Sequence, residues 1–308
     1  MAAIARTRGR VRRKGDTWRR VRKSWPWYLF ILPNVLGFLA FGLFPLLAVL
    51  VLSFYHWYLF TSPTFLGIRN FVNLAGDDEF LTTLRNTGAY ALMTVLPGSA
   101  IALGLALMVN QGLRGMTLFR ILFFIPVVTS ITVIAFLWNW IYTPDSTGPL
   151  NYLLHVVGIG PQQWLQSSTL ALPSLAAFAI WSSAGYTMIL WLAGLQTVPA
   201  ELYDAACVDG ANRWQRFSHV TLPMLKPTTI FIVMVGTISA LQMFGPVYLM
   251  TGGGPAQATE SVVYWIYKVG FLLFQMGRAA AGTTVLFVII LLIALLQRRF
   301  LGWTDELY

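Results

Sequence analysis

The stretch WYLFILPNVLGFLAFGLFPLLAVLVLSF, from Trp27 to Phe54, contains no Asp, Glu, Lys or Arg. A helix needs roughly 20 apolar residues to cross the hydrocarbon of a bilayer, so this run is long enough to span. Five more stretches share its character: Thr87 to Met108, Leu122 to Trp140, Ala171 to Leu192, Thr228 to Leu249 and Ala279 to Leu296. None of them carries an acidic or basic residue. The expected fold class is an all-α integral membrane protein with about six transmembrane helices.

Composition points the same way. Of 308 residues, 57% are hydrophobic and 10% are charged, whereas soluble domains carry about a quarter charged residues. A soluble chain of this size could not hide so much apolar surface. The bilayer is the expected solvent.

Placing the N-terminus inside puts seventeen Lys and Arg in cytoplasmic segments and leaves four outside, Arg69, Arg85, Lys268 and Arg278. The positive-inside rule then predicts both termini in the cytoplasm of a multi-pass protein of the cytoplasmic (inner) membrane. The expected layout is a basic tail at 1–26, a membrane domain at 27–300 and a short tail at 301–308. The net charge of +10 draws ten of its basic residues from the first tail. Such a cluster beside a span holds anionic lipid, and no nucleic acid is expected. The first span is too long for a signal peptide and no small-residue cleavage site follows it.

Val262 to Phe274 is apolar but short and is interrupted by Lys268, which predicts an interfacial helix on the outer surface rather than a seventh span. Prolines in or near the spans, among them Pro126 and Pro246, predict kinks. The single cysteine, Cys207, allows no disulfide framework. His56, His155 and His219 lack ligand spacing, so no metal site and no catalytic arrangement are expected.

The most informative loop is PAELYDAACVDGANRWQRFSHVTLP, Pro199 to Pro223, within a cytoplasmic segment at 196–227. Its residues read as helix, turn, helix. Pro199 suits a first helical turn, and Glu201 and Asp204 favour its positive pole. Gly210 supplies the turn. Asn212 caps a second helix with Gln215 in a box-like position, and Pro223 closes it. Ala205 and Ala206 leave a face that another protein can approach closely.

The run Asp204-Ala205-Ala206, Asp209-Gly210-Ala211 and Thr221-Leu222-Pro223 resembles the EAA loop of ABC importer permeases. That resemblance implies a coupling helix seated in an ATPase subunit, with Glu201, Asp204, Ala205, Ala206, Asp209, Gly210 and Ala211 carrying the contact. Asp204 replaces the usual Glu and reaches one methylene less far. Thr251-Gly252-Gly253-Gly254-Pro255, then Thr259-Glu260 and Tyr264, is similar to carbohydrate permeases of the maltose and glycerol-3-phosphate type. Gly67 to Phe71, Asn86-Thr87 and Gly148 to Asn151 share that likeness. The Gly-rich run is not a phosphate cradle, since no Gly-Lys-Ser/Thr follows it; it reads as an outer-surface turn.

The resemblance implies a permease subunit that imports a sugar or similar polyhydroxylated solute by alternating access. It implies a second homologous permease subunit, an ATPase subunit dimer and an extracellular or periplasmic solute-binding protein as partners. No cofactor is expected in this chain, and ATP and Mg would be bound by the ATPase. Sugars are recognised by aromatic faces and a few hydrogen-bonding groups. The candidate substrate residues are Gln242, Trp138, Asn139, Trp181, Ser183, Tyr186 and Tyr248, with Gln242 first because an amide in lipid needs a partner. Polyol, glycerol phosphate or peptide are alternative cargoes. A secondary transporter or a membrane enzyme would need ionisable groups within the spans, and the six stretches have none.

Overall fold

The computed structural model describes residues 25–111 and 115–300. The two terminal tails and Arg114 lie outside the described residues. The chain divides into two compact units, 1–51 and 52–308. In the first, α1 (Trp25–Phe38) passes through a π-turn at Leu39–Leu43 into α2 (Phe44–Leu52). Residues Trp27–Leu52 form one apolar helical path of 26 residues. The π-turn lies between Pro33 and Pro45, whose missing N–H groups weaken the regular ladder.

The second unit starts with a two-stranded antiparallel hairpin, β1 (Tyr55–His56) and β2 (Thr64–Phe65). A short α3 (Arg69–Ala75) leads to α4 (Asp78–Val109), a helix of 32 residues. The helix α4 begins nine residues before the expected span. Asp77 caps it, its Oδ1 accepting from the N–H groups of Glu79 at 3.1 Å and Phe80 at 3.4 Å. Asp78 and Glu79 favour the positive pole in its first turn. An apolar count cannot see this polar first turn.

The third expected span is not one helix. It is α5 (Met116–Val128) and α6 (Ile131–Ile141), set at 100° to each other. The break falls at Thr129 and Ser130, which adopt extended backbone, three residues beyond Pro126. The short α7 (Pro149–Val156) precedes α8 (Ala171–Gln196), and α9 (Ala200–Val208) and α10 (Arg213–Arg216) follow it. A π-turn at Phe217–Thr221 joins α10 to the single turn α11 (Leu222–Met224). Pro223 therefore sits inside the helical path, and the chain turns at Leu225, where α12 (Lys226–Leu241) departs at 65°.

The fifth expected span also stops early. Pro246 has no N–H to offer the carbonyl of Gln242, so α12 ends at Leu241 and a π-turn resumes at Val247–Thr251. The segment α13 (Val262–Tyr267) continues as a π-turn to Leu272, and α14 (Met276–Phe300) completes the fold. Val262–Leu272 is 11 residues long, about 17 Å at the helical rise, so it cannot span. Nor does it rest its apolar face on lipid alone, because Val262, Trp265 and Val269 are buried against protein. Among the described residues, four helices are long and apolar enough to cross a membrane, or six when each bent pair is counted as one span.

Three apolar clusters fix the order of the helices. Phe80 near the start of α4 packs with Trp265, Ala281 and Leu286. Tyr90 and Ala91 meet Leu172, Leu175, Ala240 and Leu241. Ala102, Ala106 and Val109 meet Met188, Trp191, Leu195, Leu225 and Ile232. So α4 and α8 run parallel, and α12 runs against both. Helices α5 and α8 touch at backbone distance, since a Cβ on Gly185 would lie 2.0 Å from the carbonyl oxygen of Phe123.

Candidate functional site

Between α4, α8 and α12 lies a cavity of about 410 Å³. Tyr90, Thr94, Gly98 and Ser99 line it from α4, and Ser182, Ser183, Tyr186 and Thr187 from α8. Ser239 and Gln242 close it at the break after α12, with Phe178, Ile232 and Met243 as apolar wall. The hydroxyl groups sit one helical turn apart and so share a face. No Asp, Glu, Lys or Arg is among the lining residues. Thr94 Oγ1 donates to the Tyr90 carbonyl at 2.8 Å, and the Ser182 and Ser183 hydroxyls donate to Ala179 at 3.0 and 2.8 Å. Each hydroxyl oxygen keeps acceptor capacity for a solute. The arrangement offers a neutral guest hydrogen bonds and aromatic faces, and no fixed charge.

Of the residues singled out from sequence, Ser183, Tyr186 and Gln242 are on this wall. The other four lie elsewhere. Trp138 packs with Tyr142, Phe178 and Trp181 at ring-centroid distances of 5.1, 5.9 and 5.3 Å. Trp181 faces an apolar groove with Ile101, Leu105, Phe123 and Pro126. Asn139 Nδ2 donates to the Leu249 carbonyl at 3.4 Å, and Tyr248 stacks on Phe244 at 5.3 Å. Tyr90, Thr94, Ser99, Ser182 and Thr187 are not found by the sequence reading, and Ser239 reads there only as a small residue for helix packing. Their signal is the four-residue interval of hydroxyls (Tyr90 and Thr94, Ser182 and Tyr186, Ser183 and Thr187) in otherwise apolar helices.

The loop after α8 stands at the far end of the bundle from the start of α4. No residue of α9 is buried. Glu201, Asp204, Ala205, Asp209 and Gly210 are exposed, and Ala206 and Ala211 are half-buried. Pro199 is the cap residue just before the helix rather than part of its first turn. Gly210 has φ +74°, and the N–H groups of Ala211 and Gly210 return to the carbonyls of Ala206 at 2.9 Å and Cys207 at 3.1 Å. This is a Schellman ending, which requires the left-handed residue that glycine supplies most cheaply. The Tyr203 hydroxyl meets Thr221 Oγ1 at 2.9 Å and ties the two helices together. Val208 and Trp214 are 88% and 71% exposed, a large apolar area for a hydrophilic loop.

The opposite end is held by charge. Lys268 pairs with Glu79 and Glu260, and Arg278 pairs with Asp77 while lying 5.3 Å over the Trp265 ring. Burial pushes the Glu260 carboxyl above its usual range, and Lys268 draws it partly back. Burial alone would lower Lys268, but its bonds to Glu260 and Glu79 hold the ammonium above its ordinary value. The Gly-rich run is not a free surface turn. Thr259 Oγ1 donates to Thr251 Oγ1 at 2.8 Å and to the Gly254 carbonyl at 2.6 Å, and Thr259, Glu260 and Ser261 are buried.

A helical membrane protein with a solute-sized, uncharged open cavity and an exposed helix-turn-helix at one end has the make-up of a transport protein. The family model described as "Binding-protein-dependent transport system inner membrane component" matches residues 98–303, and the chain belongs to that family. It is 37% identical over 278 residues to the probable ABC transporter permease protein YurN of Bacillus subtilis (strain 168), covering 89% of this chain and 94% of that protein. It is 33% identical over 277 residues to the arabinooligosaccharides transport system permease protein AraP of the same organism, covering 89% and 88%. A solved bacterial alginate ABC transporter, in complex with an alginate pentasaccharide-bound periplasmic protein, has a chain that superposes with TM-score 0.81 at 25% identity, covering 92% of this chain and 96% of that one. The chain is thus a membrane component of a binding-protein-dependent transporter.

Proposed function

We propose that this permease subunit imports a neutral oligosaccharide or similar polyhydroxylated solute, with energy supplied by separate ATPase subunits. The observation that carries the reading is the cavity, whose wall sets hydroxyls, one amide and aromatic rings among aliphatic side chains and carries no charged group. Hydrogen-bond donors and acceptors beside aromatic faces suit a sugar. A phosphorylated cargo would call for a cation there, which favours a sugar over glycerol phosphate. The names of AraP and of the alginate transporter support carbohydrate as the cargo class.

The chain's own sequence has no Gly-Lys-Ser/Thr phosphate loop. In this reading, ATP closing a pair of ATPase subunits moves α9 and α10, and a second, similar permease completes the conduit. The cavity then alternates between outside and inside, with both termini cytoplasmic. The test is uptake by the reconstituted transporter. Gln242→Ala should raise KM for the carbohydrate by roughly tenfold, the loss of about one well-placed hydrogen bond. Unchanged KM and rate in that variant would remove Gln242 and the cavity from the reading.

A further inference from the structure

A second recess, about 640 Å³, opens beside the start of α4. The hairpin supplies His56, Trp57 and Tyr58, α3 supplies Arg69 and Asn73, and Arg278 comes from α14. Its charge is uneven. Arg278 is spent on Asp77, and among the described residues Arg69 has no ion-pair partner while its side chain is exposed. The acids nearest in sequence do not fill that role. Asp78 is not among the lining residues, and Glu79 is held by Lys268.

Aromatic side chains share the wall with Arg69: Trp57 and Tyr58 line the recess, and Tyr58 is 41% exposed. The hairpin itself is anchored: Asn70 Nδ2 donates to the carbonyls of Ser53 at 2.8 Å and Tyr55 at 2.9 Å, and Leu59 N–H bonds the Phe274 carbonyl at 3.1 Å. A fixed concave surface with one uncompensated arginine beside Trp57 and Tyr58 has the make-up of a protein-docking hot spot.

Because α4 and α8 run parallel, this recess lies at the end of the bundle opposite the α9–α10 loop. If that loop faces the ATPase, as the reading above has it, the recess faces the side from which solute arrives. We propose that the recess is the socket for an acidic side chain on the solute-binding protein, with Arg69 as its counter-charge and Tyr58 as its apolar edge.

The test titrates the solute-binding protein that supports uptake against the assembled transporter in proteoliposomes, at low and high salt. Wild-type affinity should weaken as salt rises. Arg69→Glu should lower affinity by roughly tenfold or more and abolish that salt dependence, with uptake regained at high binding-protein concentration. Arg69→Lys should stay near wild type, and Tyr58→Ala should weaken affinity at both salts. Arg69→Glu binding within about twofold of wild type would overturn the socket and leave the importer reading intact. A wild-type transporter that takes up solute without any binding protein would overturn both.

Discussion

Asn212 and Gln215 hold each other's backbone at the start of α10. Asn212 Oδ1 accepts the Gln215 N–H at 2.9 Å, and Gln215 Oε1 accepts the Asn212 N–H at 2.8 Å. Two donors that no helical carbonyl can reach are satisfied at once. Asn212→Ala should cost about 1 kcal/mol locally. Amide hydrogen exchange in residues 213–216 should accelerate by roughly fivefold, with α8 unchanged.

Gly210 sets the angle between the two helices that the box then fixes. A β-branched residue at φ +74° is strained by about 1–2 kcal/mol. Gly210→Val should leave the protein in the membrane and abolish ATP-driven uptake. Normal transport by this variant would count against coupling through the loop.

Glycines within the spans divide by what surrounds them. A Cβ on Gly185 would meet the Phe123 carbonyl at 2.0 Å, whereas one on Gly104 would meet nothing within 4 Å. Gly185→Ala should force α5 from α8 and lower the thermal midpoint in detergent by several degrees, an overpacking cost of about 1–3 kcal/mol. Gly104→Ala should leave the midpoint where it is or raise it slightly.

Lys268 neutralises Glu260, whose side chain is 2% exposed. Lys268→Met should cost about 3 kcal/mol by stranding that carboxylate. Glu260 already titrates above its usual range through burial, and without Lys268 it rises further. A carboxyl raised in the folded state stabilises below its unfolded value and loses that contribution as pH climbs through the folded one. The Lys268→Met defect should therefore be small in acid and grow as pH rises through and beyond the carboxylate range. Adding Glu260→Gln should flatten the slope. Thermal inactivation midpoints across pH read both effects.

Much of this fold was legible because lipid demands long uncharged runs, and charge-free stretches are easy to find. The helix-turn-helix was legible too, since Gly210, Asn212 and Gln215 act locally. What escaped were features set by few atoms. The first turn of α4 is polar, so the helix appeared shorter than it is. Pro126 predicts a kink in the third span, but not that the chain breaks at Thr129 and Ser130 into two helices at 100°. Pro246 predicts a kink, but not that α12 ends at Leu241. The cavity was harder still, because its hydroxyls come from three helices, and which turn of α4 faces which turn of α8 depends on packing. Aromatic residues drew attention instead, and Trp138 and Trp181 turn out to pack on each other.

The length of α4 has a mechanical consequence. Its 32 residues measure about 48 Å, well beyond the roughly 30 Å of hydrocarbon. The excess of about 18 Å either stands outside the hydrocarbon or is taken up by tilt, and Pro97 near the middle removes one bond from the helical ladder. Tilting the helix swings its two water-facing tips in opposite directions by similar distances.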